Sequence, residues 1–199
     1  MKVLVFAASL RKASYNRMLA ARAADALRKV PRVEVDHADF REFDAPMYDG
    51  DAEDVSGMPK GGAELIRRVS AANAIVISTP EYNGGIVGGL KNALDWASRG
   101  DAIPFDGKPL LLLGASTGGF GGIRGLWHTR VPFEAVGTLV YPEMFALPRT
   151  QQAFGEGGKF KDPKMEERLT ELVTGFMKYA TAVAFFPHIE CQEHLLKNG

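Results

Sequence analysis

The sequence predicts a doubly wound α/β fold, a five-stranded parallel sheet with helices on both faces. Short apolar, β-branched runs recur along the chain, and each is followed by a segment with helical spacing. Strand–helix alternation five times over implies parallel strands joined by right-handed crossovers. A length of 199 residues supplies one sizeable core and is short for two. No linker or repeat interrupts the pattern, so residues 1–199 read as a single domain.

Each element follows from its residues. KVLVFAAS, from Lys2, is a near-continuous apolar run, as expected of a strand covered on both faces. From about Tyr15 to Val30, Leu19, Ala23, Ala26, Leu27 and Val30 recur at helical spacing, with Arg17, Arg22, Asp25 and Arg28 off that face. VEVDHAD is the second strand. Leu65, Ile66, Val69 and Ala72 mark a helix leading into the third strand, NAIVIST. Leu90, Ala93, Leu94 and Ala97 mark another helix before the fourth strand, KPLLLLGAS. A helix follows from about Gly121, which Pro132 should kink or restart, and GTLVY is the fifth strand. Met165, Leu169, Leu172, Val173, Phe176 and Ala180 mark a long last helix. Segments 40–62 and 142–163 carry Gly and Pro and read as loops long enough to cover a site or a partner surface.

Composition excludes several classes. Lys plus Arg equals Asp plus Glu at 24 each, so no broad electrostatic footprint for nucleic acid or an anionic membrane is expected. A single cysteine rules out an internal disulfide and points to a reducing, cytoplasmic location. MKVLVFAAS reads as a strand rather than a signal peptide, and ATAVAFF is far too short to cross a bilayer. His188, Cys191 and His194 form H-x-x-C-x-x-H, but three-residue steps drift about 60° around a helix each and no fourth ligand is evident. No metal is expected.

In a sheet of this winding, ligands bind where the strand C-termini open at the switch in winding direction. With the flavodoxin-like order 2-1-3-4-5, strands one, three and four are neighbours. SLRKASYN (9–16), PEYNGG (80–85) and ASTGGFGG (115–122) then meet at one crevice. In the first, Ser9, Ser14, Asn16 and the forked donor of Arg11 stand before a helix N-terminus, a pattern that suits either a phosphate or a simple cap. Neither G-x-x-x-x-G-K-[ST] nor G-x-G-x-x-G occurs, so a single phosphate fits better than a triphosphate or dinucleotide. STGGFGG, with four glycines in seven residues, lets main-chain N–H groups approach a flat ligand or serves as a flexible turn. PEYNGG likewise borders a planar ring or makes an ordinary turn with a surface tyrosine.

SLRKASYNRMLA, TPEYNGGIVGGLKNALDW and GASTGGFGGIRG together resemble the NADPH-dependent FMN reductase family, whose relatives include quinone, azo-dye and chromate reductases. MYDGD, with Pro46 and Tyr48, and the 153–169 stretch extend the resemblance to about Leu172. The resemblance implies that Ser9, Arg11, Ser14 and Asn16 hold the FMN phosphate, with Tyr15 close by. It implies that Pro80, Glu81, Tyr82, Asn83 and Gly84 border the isoalloxazine and that Ser116, Gly118 and Gly119 contact its other edge. Tyr82 is the catalytic candidate, walling the place where a ligand stacks. The Glu81 carboxylate would repel a reduced flavin, so its side chain is expected to turn away, tied to nearby backbone or a partner subunit. Arg124 and Arg130 are candidates for the nicotinamide phosphate or the acceptor, or for pairing with carboxylates or covering a dimer surface.

The implied activity is hydride transfer from NADPH or NADH through FMN to a small-molecule acceptor, by a homodimer or homotetramer. A flavodoxin-type electron carrier and a non-catalytic FMN-binding sensor or interaction module remain open at this stage.

Overall fold

The computed structural model describes residues 1–100 and 102–185. His188, Cys191 and His194 lie outside the described residues. Strands β1 (Lys2–Ala7), β2 (Glu34–Ala38), β3 (Ala74–Ser78), β4 (Pro109–Ala115), β5 (Leu139–Val140) and β6 (Phe145–Leu147) form one parallel sheet. Its order is β2-β1-β3-β4-β5, as predicted, with β6 also pairing with β4.

The period-2 alternation of the apolar runs divides the core into two layers. Val3, Val5, Ala7, Ala74, Val76, Leu111 and Leu113 face α1 (Tyr15–Arg28) and α7 (Pro163–Phe185). Leu4, Phe6, Ile75, Ile77, Leu110 and Leu112 face the other way, toward α3 (Lys60–Ala71), α4 (Gly88–Ala97) and α5 (Ile123–Ala135). Apolar side chains on both sides explain why these strands read as unbroken hydrophobic runs. Ala20, Ala23 and Ala24 give α1 a small-residue face toward the sheet.

Two details of the strands and helices depart from the sequence expectation. The single fifth strand becomes two short ones along β4, with Pro109 and Leu110 opposite β5 and Leu113 to Ala115 opposite β6. Pro142 sits between them and has no N–H to continue the ladder. Pro132 neither ends nor restarts α5, which runs on to Ala135. It falls in the last turn, where the N–H it lacks would have met the His128 carbonyl, so one hydrogen bond is lost close to the end of the helix.

The two long segments are also structured. The first holds a 3₁₀ turn (Phe40–Phe43) and α2 (Gly50–Ser56). A capping box of Asp39 and Glu42 closes the 3₁₀ turn, and Phe40 and Phe43 pack on Phe6. Pro46 is anchored to α4, its carbonyl accepting Trp96 Nε1 and Asn92 Nδ2, each at 2.8 Å. The second segment holds β6, α6 (Thr150–Ala153) and a 3₁₀ turn (Glu156–Gly158). Among the described residues, no helix is long and apolar enough to cross a membrane and no cluster of His, Cys, Asp or Glu could hold a metal ion.

Candidate active site

The carboxyl ends of β1, β3 and β4 are tied side by side before their loops diverge. Ala8 N–H donates to Ser78 O at 2.9 Å, and Thr79 N–H donates to Leu113 O at 2.8 Å. Loops 9–14, 79–86 and 116–122 therefore leave the sheet together, as the strand order predicted.

Ser14 is the residue before α1, and its side chain makes no cap hydrogen bond. Among the described residues, the N–H groups of Tyr15, Asn16 and Arg17 have no partner, and the helix ladder begins at Met18 N–H to Ser14 O. Ser9 and Ser14 are buried, while Arg11 is exposed above them. A helix N-terminus with unmet donors, a hydroxyl not used as a cap and a nearby guanidinium together suit an anion.

Asn16 has a different job from its neighbours. Its Nδ2 donates to Ala115 O at 2.9 Å, and its Oδ1 accepts from Ala115 N–H at 3.0 Å and Ser78 Oγ at 2.9 Å. The buried amide thus stitches the first turn of α1 to the ends of β3 and β4. Its side chain is committed to the scaffold, leaving its backbone N–H toward the loop. The Tyr15 ring stacks on Phe154 at 6.0 Å, within an apolar cluster that continues to Phe160.

The 80–85 loop is a tight turn. Tyr82 and Gly85 pair across it, Gly85 N–H donating to Tyr82 O at 3.0 Å. Asn83 at φ 52° and Gly84 at φ 76° occupy its two central positions. Positive φ at both is the signature of a type I′ turn, for which Asn-Gly is the favoured pair. The ordinary turn that the sequence allowed here is thus of a defined type, set by its Asn-Gly pair. Pro80 is buried at its base, and Tyr82 stands 49% exposed on the turn.

Glu81 turns into α5, as expected from its charge. Its carboxylate accepts Arg124 Nε at 2.8 Å and the backbone N–H of Gly125 at 3.1 Å. Burial alone would push Glu81 up, but the Gly125 N–H and the Arg124 guanidinium outweigh it and hold the carboxyl below its ordinary range. Only glycine fits at 125, because a Cβ there would lie 2.9 Å from Glu81 Cβ. Arg130 is likewise engaged, with Glu134 at 2.6 Å and Tyr141 O at 3.0 Å.

The glycine-rich loop presents Thr117, Gly118, Gly119 and Phe120 exposed, Phe120 at 72%. Ser116 Oγ accepts Gly118 N–H at 3.1 Å and shapes its start. The segment after β6 runs alongside, with Arg149 N–H donating to Gly118 O and Thr150 N–H to Ser116 O, both at 3.2 Å. This segment belongs to the 142–163 stretch expected to cover a site or a partner surface, and it lies against the glycine-rich loop. A separate cleft of about 330 Å³, lined by Ala7, Arg17, Ala21, His37, Ala38, Asp39 and Phe40, opens on the β2 side and includes no residue of the 79–86 or 116–122 loops.

One anion cradle and two shaped loops at the C-terminal edge of a doubly wound sheet match a mononucleotide site carrying a flat ring. The family profile of NADPH-dependent FMN reductases matches residues 1–152. The chain belongs to that family. An NAD(P)H-dependent FMN reductase of Pseudomonas aeruginosa is 38% identical over 173 residues, covering 85% of this chain and 90% of the relative. The quinone reductase of Escherichia coli is 31% identical over 189 residues, covering 92% and 97%. Among solved structures, the flavoenzyme NAD(P)H:(acceptor) oxidoreductase FerB of Paracoccus denitrificans superposes with a TM-score of 0.77 at 28% identity, covering 91% of this chain and 97% of that one.

Proposed function

We propose that this family member is an FMN-dependent NAD(P)H oxidoreductase that reduces a small acceptor such as a quinone, a free flavin, an azo compound or an oxyanion. The observation that carries the proposal is the uncapped N-terminus of α1 beneath Ser14 and Arg11, set beside the Tyr82–Gly85 turn and the glycine-rich loop. The donor set fits FMN: Ser9, Arg11, Ser14 and the free N–H groups of α1 for its one phosphate, Pro80 to Gly84 along one side of the ring, and Ser116, Gly118 and Gly119 along the other.

Bound FMN supplies the redox chemistry, accepting a hydride from the nicotinamide and passing two electrons to the acceptor. The chain's own residues bind and orient. The Asn83-Gly84 turn fixes where Tyr82 stands, and its exposed ring walls the place where a flat ligand stacks. Misplacing such a ligand by about 1 Å lowers the rate by as much as a hundredfold. The N–H groups of Thr117 and Gly119, which have no partner among the described residues, are suited to stabilise negative charge at the ring edge, while Glu81 keeps its carboxylate in α5.

The proposal extends to residues 1–199 as a single FMN-binding domain, to a cytoplasmic location and to a homodimer or homotetramer. The two core layers share the strands of one sheet, and the single cysteine suits a reducing compartment. Phe120, Trp127 and Val131 are 72%, 55% and 67% exposed along the start and outer face of α5, an apolar stripe suited to a second copy.

Steady-state kinetics with NADPH and a simple quinone at saturating FMN test the function. One stacking place used by donor and acceptor in turn predicts parallel double-reciprocal lines. Intersecting lines would require separate donor and acceptor places, and absence of turnover would reject the enzyme.

A further inference from the structure

Electron donors of the NAD(P)H type are flat at one end and heavily anionic at the other, whereas a quinone is neutral. A protein that takes both in one place needs a cation that meets only the donor's phosphates. Arg124 is bound by Glu81, and Arg130 by Glu134 and two carbonyls. Neither is available without breaking a contact that shapes α5 or its junction with β5.

Arg149 is different. It lies two residues beyond the end of β6, and Leu147 pairs with Ala115 at the end of β4, so Arg149 stands on the same edge of the sheet as the glycine-rich loop. Its backbone N–H is bound to Gly118 O at 3.2 Å, which fixes it to that loop. Among the described residues, its exposed guanidinium makes no hydrogen bond or ion pair. It also holds a left-handed conformation, φ 48° and ψ 47°, which glycine adopts freely and arginine only with strain. Arg32, the other arginine with positive φ, has a local reason, since its carbonyl accepts the N-terminal amine at 2.7 Å. The backbone of Arg149 is also held, its carbonyl accepting Gln152 N–H at 2.8 Å, but neither this bond nor the one to Gly118 O calls for an arginine side chain. Next to it, Thr150 is fully buried and its hydroxyl has no partner.

We propose that Arg149 is a specificity-determining residue that binds a phosphate group of the nicotinamide nucleotide donor. The inference rests on the proposed oxidoreductase function and adds to it the group that reads the donor. The phosphate is either the pyrophosphate shared by NADH and NADPH or the 2′-phosphate of NADPH alone. In both cases the chemistry is a forked guanidinium on a phosphate oxyanion.

The test compares the FMN-loaded wild type with Arg149→Gly and Arg149→Lys, using NADPH, NADH and an uncharged quinone. Glycine relieves the left-handed strain, so Arg149→Gly should leave the melting temperature unchanged or raise it. Loss of a hydrogen bond to a charged group should raise the donor KM about ten- to hundredfold, with kcat and the quinone KM unchanged. An increase for both nucleotides assigns the pyrophosphate, and an increase for NADPH alone assigns the 2′-phosphate. Arg149→Lys keeps the charge and should restore part of the loss. Unchanged donor KM values, an equal rise in the quinone KM or a drop in melting temperature with glycine would each overturn the assignment. A wild type that oxidises neither nucleotide would remove the function on which the assignment rests. An active wild type with an indifferent Arg149 would remove the assignment alone.

Discussion

The carboxylate of Glu81 accepts the backbone N–H of Gly125 at 3.1 Å, and the two residues approach so closely that a Cβ on Gly125 would meet Glu81 Cβ at 2.9 Å. This contact holds the turn that carries Tyr82 against the start of α5. Gly125→Ala must therefore push the 80–85 loop outward. It should lower the melting temperature by a few degrees, since about 1–3 kcal/mol of overpacking corresponds to roughly 2–4 °C per kcal/mol at this chain length. It should lower turnover with quinone more than affinity for FMN. A variant with wild-type melting and turnover would show that the contact does not position the loop.

Acid should weaken the same region. Glu81 is held below its ordinary value of 4.5 by Gly125 and Arg124 against the opposing effect of burial. Asp39 is held below 3.8, chiefly by the Arg41 N–H and then by Arg17. Both pKa values are depressed on folding, so both groups stabilise the fold fully above their unfolded values and lose that contribution as pH falls through the folded ones. Burial and then Arg28 hold His37 below its ordinary value of 6.5, so stability should begin to decline as pH falls below about 6.5. It should decline further below about 5 as Glu81 and Asp39 protonate, and Glu81→Gln should make that lower part shallower. Denaturant titrations at a series of pH values measure this, and an unchanged slope in Glu81→Gln would contradict it.

Asn16 should behave as a scaffold residue. Asn16→Ala leaves Ala115 N–H, Ala115 O and Ser78 Oγ unpaired in a buried setting. The expected loss is at least about 3 kcal/mol in the protein without FMN, from three unmet groups at roughly 1–3 kcal/mol each. Urea unfolding of the apoprotein checks it. Unchanged stability with weakened FMN binding would return Asn16 to the phosphate.

Arg11→Ala should do the reverse, weakening FMN binding about ten- to hundredfold with no effect on apoprotein stability, because its exposed side chain makes no hydrogen bond or ion pair among the described residues. Titration of apoprotein with FMN decides the matter, and an unchanged dissociation constant would mean that Arg11 does not touch the phosphate.

Much of this architecture was legible in the residues because strands buried on both faces cannot hide: Val3 to Phe6 and Leu110 to Leu113 have no polar face to confuse the period. The strand order then brought the three loops together. The divided fifth strand was less legible, since a two-residue strand leaves little periodicity and Pro142 marks the break only once the register is known. Asn83-Gly84 carried a readable turn signal. The role of Asn16 was not readable, because the same amide can cap a helix, meet an anion or bridge buried backbone, and only Ala115 and Ser78, distant in sequence, choose among them. Arg149 gave no local signal at all: its left-handed backbone and its bond to Gly118 are products of how β6 lies along β4.

The most direct test of the central claim is to mix the FMN-loaded protein with NADPH or NADH in the absence of oxygen and follow the yellow colour. An NAD(P)H oxidoreductase loses the colour within the time of a catalytic turnover and regains it when quinone is added. A carrier that depends on protein partners, or a sensor that only binds FMN, stays yellow in the presence of both nucleotides, and that result would contradict the account.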